Sequence, residues 1–175
     1  MAAALMSVVP FTLPSELMAA LPFAPGAARE LLRQNEDFIT LVGDDPALIT
    51  TRELPAPLER PVVTIQASVN RRENIQLSKV RLMLSVWVPK IEILVDGDPP
   101  TPMDPEELAW NIAAAAGQIL DQRRMMGQGP SFVFRGASWR SQWDAGPTTM
   151  VDIARGADNP IYRAVIEVVM KVGAN

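Results

Sequence analysis

The chain has no cysteine and no histidine. No disulfide framework is therefore possible, and the commonest ligands for zinc, copper and haem iron are missing. No glycine-rich phosphate loop and no nucleophile-elbow serine occurs. Asp96, Asp98 and Asp104 lie close in sequence, but without the glycine and distal glutamate that a calcium loop needs. Glu106 and Glu107 are neighbours on a helix, so their carboxylates diverge instead of converging on a substrate. The expectation is a protein that is not an enzyme, with no catalytic residues, no cofactor and no metal. A basic excess is absent too: 16 Lys and Arg stand against 20 Asp and Glu, a net charge of -4. That balance excludes a dedicated nucleic-acid binder, though not a channel through which DNA slides without being held. The apolar first 24 residues lack a basic n-region and are broken by Pro10 and Pro14, so a soluble, intracellular chain is expected instead of a signal peptide or membrane span.

What is present fits one domain with an arm. The 175 residues are 48% hydrophobic, and a chain of this size buries roughly 70% of its unfolded surface without a staple. Residues 1–24 read as an N-terminal arm of Pro-broken apolar clusters, packed either on its own domain or on a neighbouring subunit. Residues 25–175 read as a single α+β domain. Pro25-Gly26 opens a short helix, Ala27–Asn35, with Leu31 and Leu32 inward and Arg29, Glu30, Arg33 and Gln34 solvated. Ala47–Leu54 reads as a strand after the Gly43–Pro46 turn.

Two runs alternate with period two, the pattern of half-buried strands. In Pro61–Asn70, Val63, Ile65, Ala67 and Val69 share a face. In Ser78–Pro89, Val80, Leu82, Leu84, Val86 and Val88 point inward, with Arg81, Met83, Ser85 and Trp87 outward. The charged NRRENIQL between them suggests a hairpin that extends beyond the sheet. Asp104, Pro105 and Glu107 mark a helix start, with a core stripe of Leu108, Ile112, Ala115, Ala116 and Ile119. Two final strands, Ser131–Arg140 and Ile161–Val172, flank a long irregular loop, a rare feature that usually has a task. The order α-β-β-β-α-β-β gives a mostly antiparallel mixed sheet with helices packed on it.

The second helix has apolar residues on two sides, and Trp110, Ala113, Ala114 and Gly117 form the side opposite its stripe. A helix apolar on two sides is usually covered on two sides. Trp139 and Trp143 bracket the start of the long loop, and Trp is enriched at interfaces. None of the four tryptophans, Trp87 included, is plainly claimed by intramolecular packing. Trp110, Ala113, Ala114, Gly117, Trp139 and Trp143 are therefore the expected subunit contacts. Arg71, Arg72, Glu73 and Lys79 around the hairpin are candidates for a lumen or partner contact. Arg123 and Arg124 suit the negative end of the second helix.

Several strings carry a resemblance to a known family: TTRELPAP, PVVTIQASV, VRLMLSVWV, DPEELAWNIAAAAGQIL and VDIARGADNPIYRAVIEVVMKV. Over roughly residues 25–172 they resemble the tail terminator (tail completion) proteins of long-tailed bacteriophages. The resemblance implies a virion protein at the tail–neck junction, made in the host cytoplasm. It would form a homo-oligomeric ring, a hexamer, that caps the head-proximal end of the tail tube. Implied partners are other copies of itself, the major tail tube protein and the head–tail connector or stopper protein. Double-stranded DNA would pass through the lumen without sequence-specific binding, and no membrane is involved. A head-completion or neck connector protein, and a non-viral small-ligand-binding α+β domain, remain the alternatives.

Overall fold

The alternating valine, leucine and isoleucine runs form the centre of a mixed sheet in the computed structural model, which describes residues 23–51, 53–72, 77–121, 132–152 and 160–173. In chain order the elements are α1 (Ala24–Arg33), α2 (Glu36–Leu41), β1 (Ile49–Thr50), β2 (Val62–Arg72), β3 (Leu77–Pro89), β4 (Ile93–Val95), β5 (Thr101–Met103), α3 (Pro105–Leu120), β6 (Phe132–Phe134), β7 (Ala137–Asp152) and β8 (Ile161–Gly173). Six strands pair in the order β1-β2-β3-β8-β7-β6, and β4 pairs with β5 in a separate ribbon. Among the described residues only β1–β2 is parallel; every other pair is antiparallel. The helices pack on one face of this sheet, so the fold is α+β with a mostly antiparallel mixed sheet. Among the described residues no helix is long and apolar enough to cross a membrane.

The core lies between that face and the helices. Val80, Leu82, Leu84, Val86 and Val88 of β3 are all buried, as are Ala164, Ile166, Val168, Met170 and Val172 of β8. Fully burying such side chains is worth about 1.5–3 kcal/mol each for the larger ones. α1 and α2 close the same core with Leu32, Phe38 and Val42.

The strand expected over 131–140 is a hairpin of β6 and β7 turning at Arg135-Gly136, and four further differences from the sequence reading follow. The first helix begins at Ala24, and a second, α2, follows at once because the Asn35 side chain accepts the Phe38 N–H at 2.9 Å. This cap ends one helix and starts the next. Arg33 is only partly solvated: its Nη2 donates to the Ile49 carbonyl at 2.7 Å and ties α1 to β1. Burial, with Arg29 adding, holds its guanidinium below the ordinary value. The strand expected over 47–54 shrinks to Ile49–Thr50, because Asp45 caps a 3-10 turn at Pro46–Leu48. The described arms of the hairpin after β2 stay in the sheet, with β3 paired with β8 as far as Leu77↔Gly173, while residues 73–76 lie outside the described residues. β2 and β3 pair out to Arg72↔Ser78, across a register shift between Ala67 and Val69.

The fourth difference is the largest. Most of the expected long loop is strand, for β7 pairs with β8 from Ser138↔Gly173 to Asp152↔Ile161. Its register shifts between Trp143 and Ala145 and again between Ala145 and Thr148. Gly and Pro signal a loop in sequence, yet they also mark bulges and edge positions within strands. Gly146 takes φ +91°, which glycine adopts without strain. A Cβ at Gly146 would stand 2.5 Å from the Val165 carbonyl oxygen. Residues 1–22 of the arm and Ile153–Asn159 of the loop lie outside the described residues.

Gly146→Ala should therefore lower stability by about 1–3 kcal/mol, measured as a shift of the urea midpoint, while Thr148→Ala should shift it by less than about 0.5 kcal/mol. Equal midpoints for Gly146→Ala and the parent would mean that the segment does not run as a bulged strand.

Candidate functional site

The start of α3 is built by local chemistry. The Asp104 carboxylate accepts the Glu106 N–H at 2.9 Å and caps the helix, and Pro105 takes the first position. Glu106 and Glu107 follow in the first turn, where the positive end of the helix dipole favours acids. Thr149 of β7 donates its hydroxyl to Glu106 Oε1 at 2.6 Å, joining the helix start to the sheet. One turn on, Trp110 remains 45% exposed. Asp104, Glu106, Glu107, Trp110 and Thr149 line a cavity of about 330 Å³ that opens to solvent. Val151, two residues after Thr149 and on the same strand face, is 49% exposed.

Three carboxylates beside an indole suit a lysine or arginine side chain, held by charge and by the ring face. Among the described residues no group of three or more acids is arranged to hold a metal ion.

The expected contact residues divide. Trp110 is exposed, while Ala114 and Trp143 are half-buried. Ala113, Gly117 and Trp139 are buried inside a single copy and are core, not contact surface. The buried stripe of α3 is Ala109, Ile112, Ala113, Ala116, Gly117 and Leu120, rotated from the one read in the sequence. Leu108, Ala115 and Ile119 move to its flanks as partly buried residues. Small residues at the centre let the helix lie close to the sheet. At Gly117 the space is taken by Trp143, whose ring would stand 2.6 Å from an added Cβ. The Trp143 indole N–H donates to the Ala145 carbonyl at 3.1 Å, which fixes the ring across the bulge. Trp139, opposite Val172 in the register, has no exposed surface.

The outer face of the sheet claims the fourth tryptophan. Trp87 donates its indole N–H to Thr64 Oγ1 at 3.0 Å. Arg163 stacks over the Trp87 ring at 4.5 Å and donates to Ser85 Oγ at 2.8 Å. Thr64 and Ser85 are thereby buried with their hydroxyls bonded. Further along, Arg81 bridges Glu167 at 2.8 Å and Asp144 at 3.2 Å. These pairs are well exposed, so each is worth at most about 1 kcal/mol.

The hairpin candidates lie at the far ends of β2 and β3. Arg71 pairs with Lys79 and Arg72 with Ser78, while Glu73 lies outside the described residues, as do Arg123 and Arg124. The register adds two cations that the sequence reading did not connect: Lys79 is opposite Lys171, and Lys171 is opposite Arg140. Only the pairing of β7 with β8 brings them together, and that pairing was hidden in the supposed loop.

Trp139→Ala should cost about 3–5 kcal/mol in urea unfolding, as a large buried ring does. Trp110→Ala should cost less than about 1 kcal/mol at protein concentrations too low for association. The reverse ranking would place Trp110 in the core. The chain matches no protein-family model and no curated protein.

Proposed function

We propose that this protein is a structural virion component that forms a ring on the head-proximal end of a long phage tail tube. The ring ends tube polymerisation and joins tail to head. DNA crosses its lumen without sequence-specific contact. Two lines support the reading. The strings over residues 25–172 resemble tail terminator proteins, and the α+β architecture is compatible with that family.

The observation that carries it is the exposed Trp110, with Val151 on the neighbouring strand, at the rim of the acidic cavity. A half-exposed indole on a rigid helix is what subunit contacts use as an anchor. A closed ring needs one patch to meet a different patch on the next copy, and this rim supplies the first. The contact surface is narrower than the whole second side of α3, since Ala113 and Gly117 are spent within the copy.

Trp110→Glu should leave the fold intact by circular dichroism yet run as a single copy on size-exclusion chromatography. Added to polymerising tail-tube subunits, the parent should shorten and cap the tubes, and the variant should not. Tubes of unchanged length with the parent would contradict termination. Retention of DNA-filled heads by the parent, with no effect on tubes, would favour the head-completion reading.

A further inference from the structure

Two short strands have an open side. β6 is the last strand of the six-stranded sheet, and β4 pairs only with β5 among the described residues. β6 turns into β7 through Arg135 and Gly136, at φ +51° and +77°, a two-residue turn that closes on the hydrogen-bonded pair Phe134↔Ala137. Bonded and unbonded pairs alternate along an antiparallel ladder. Val133↔Ser138 is therefore unbonded, and the Val133 N–H and C=O point away from β7. On β4 the direction is set by Pro102. It has no N–H, so Leu94↔Pro102 is an unbonded pair and the Leu94 N–H and C=O point away from β5. Val133 is 62% exposed and Leu94 57%, the two most exposed large apolar side chains among the described residues. Open edges of this kind template pairing with another chain. A lone two-stranded ribbon is marginal in water and gains from a third strand.

These two edges cannot meet within one copy. Val133 is opposite Ser138, Ser138 is opposite Gly173, and Gly173 is opposite Leu77 at the start of β3. β4 begins at Ile93, soon after Pro89 at the other end of β3. The 13 residues of β3 span about 40 Å, and the chain from Pro89 to Ile93 reaches at most about 14 Å. More than about 20 Å therefore separates β4 from β6, and the partner that carries the missing half is a second copy.

We infer that β4 of one copy pairs antiparallel with β6 of the next, Leu94 opposite Val133, so that the sheet continues from copy to copy. The inference rests on the ring reading and names the backbone contact between neighbours. Only antiparallel pairing lets one residue on each strand exchange both its N–H and its C=O with the other. That register also sets the residues before β4 against those after β6, so Glu92 meets Arg135, both exposed. Opposite charges facing across strands favour the pairing. Arg135 lies over the Phe134 ring at 5.2 Å, which holds its charge at this end of β6. β5 ends at Met103, next to the Asp104 cap of α3, so the ribbon lies at the same end of α3 as the Trp110 rim. Each copy gives β4 to one neighbour and β6 to the other, a head-to-tail contact that can close into a ring.

Proline tests this, because at an edge it removes only the outward N–H and leaves the inner ladder intact. Val133→Pro and Leu94→Pro should each raise the concentration for half-assembly at least about tenfold in sedimentation velocity. Mixed in equal amounts they should form one-to-one pairs and no rings. The intact β4 of the Val133→Pro copy meets the intact β6 of the Leu94→Pro copy, while the other contact is broken on both strands. Circular dichroism checks that each variant is folded. Hydrogen exchange on the parent needs no variant: the Leu94 and Val133 amides should exchange freely in dilute single copies and become protected on assembly. Folded proline variants that form rings at parent concentrations overturn the inference and leave the ring reading standing. So does either amide protected already in single copies, or left unprotected in rings. A parent that stays a single copy at every concentration overturns both.

Discussion

The contact between Gly117 and Trp143 holds this structure to its form. The indole fills the space that any side chain at position 117 would need, and its N–H closes on the Ala145 carbonyl across the bulge of β7. One contact thereby sets the depth of α3 on the sheet and the direction of β7 past Asp144. The buried faces of β3 and β8 follow from that depth, since their alternating side chains meet a helix surface in which Ala109, Ala113, Ala116 and Gly117 outnumber Ile112 and Leu120. Core packing tolerates few voids, so a small-residue helix and an intruding indole form a matched pair.

The same contact explains why the excess apolar surface of α3 is smaller than its sequence suggests. Ala113 and Gly117 look available for a neighbour only while Trp143 is taken for a loop residue. With β7 paired along β8, the indole arrives from within the copy, and what remains outside is Trp110. The apolar surface that α3 leaves exposed is therefore one aromatic ring set among acids, not a broad greasy face. Acids set around an exposed indole discourage indiscriminate adhesion, because they repel partners that bring like charge.

Much of the fold was legible wherever one physical signal acted alone. Strict alternation located β2, β3 and β8, and Asp104-Pro105 located the start of α3 to the residue. The misreadings share a cause: the same residue type serves two purposes. Gly146 and Pro147 read as loop punctuation, yet a bulged edge strand uses them as well. Asn35 reads as a helix end and is also the cap of the next helix. Small residues on α3 read as a docking face and in fact seat the helix on the sheet. The cationic row was invisible for a different reason, since Lys79, Arg140 and Lys171 are brought together only by strand register. Of the expected contact residues, Trp110 is the one that the fold leaves exposed.

The account stands on an association that single copies cannot satisfy internally. Native mass spectrometry of the purified protein over a range of concentrations measures it most directly. The account predicts one closed stoichiometry, without a ladder of open oligomers. A single copy persisting into high micromolar concentration at low salt would contradict it.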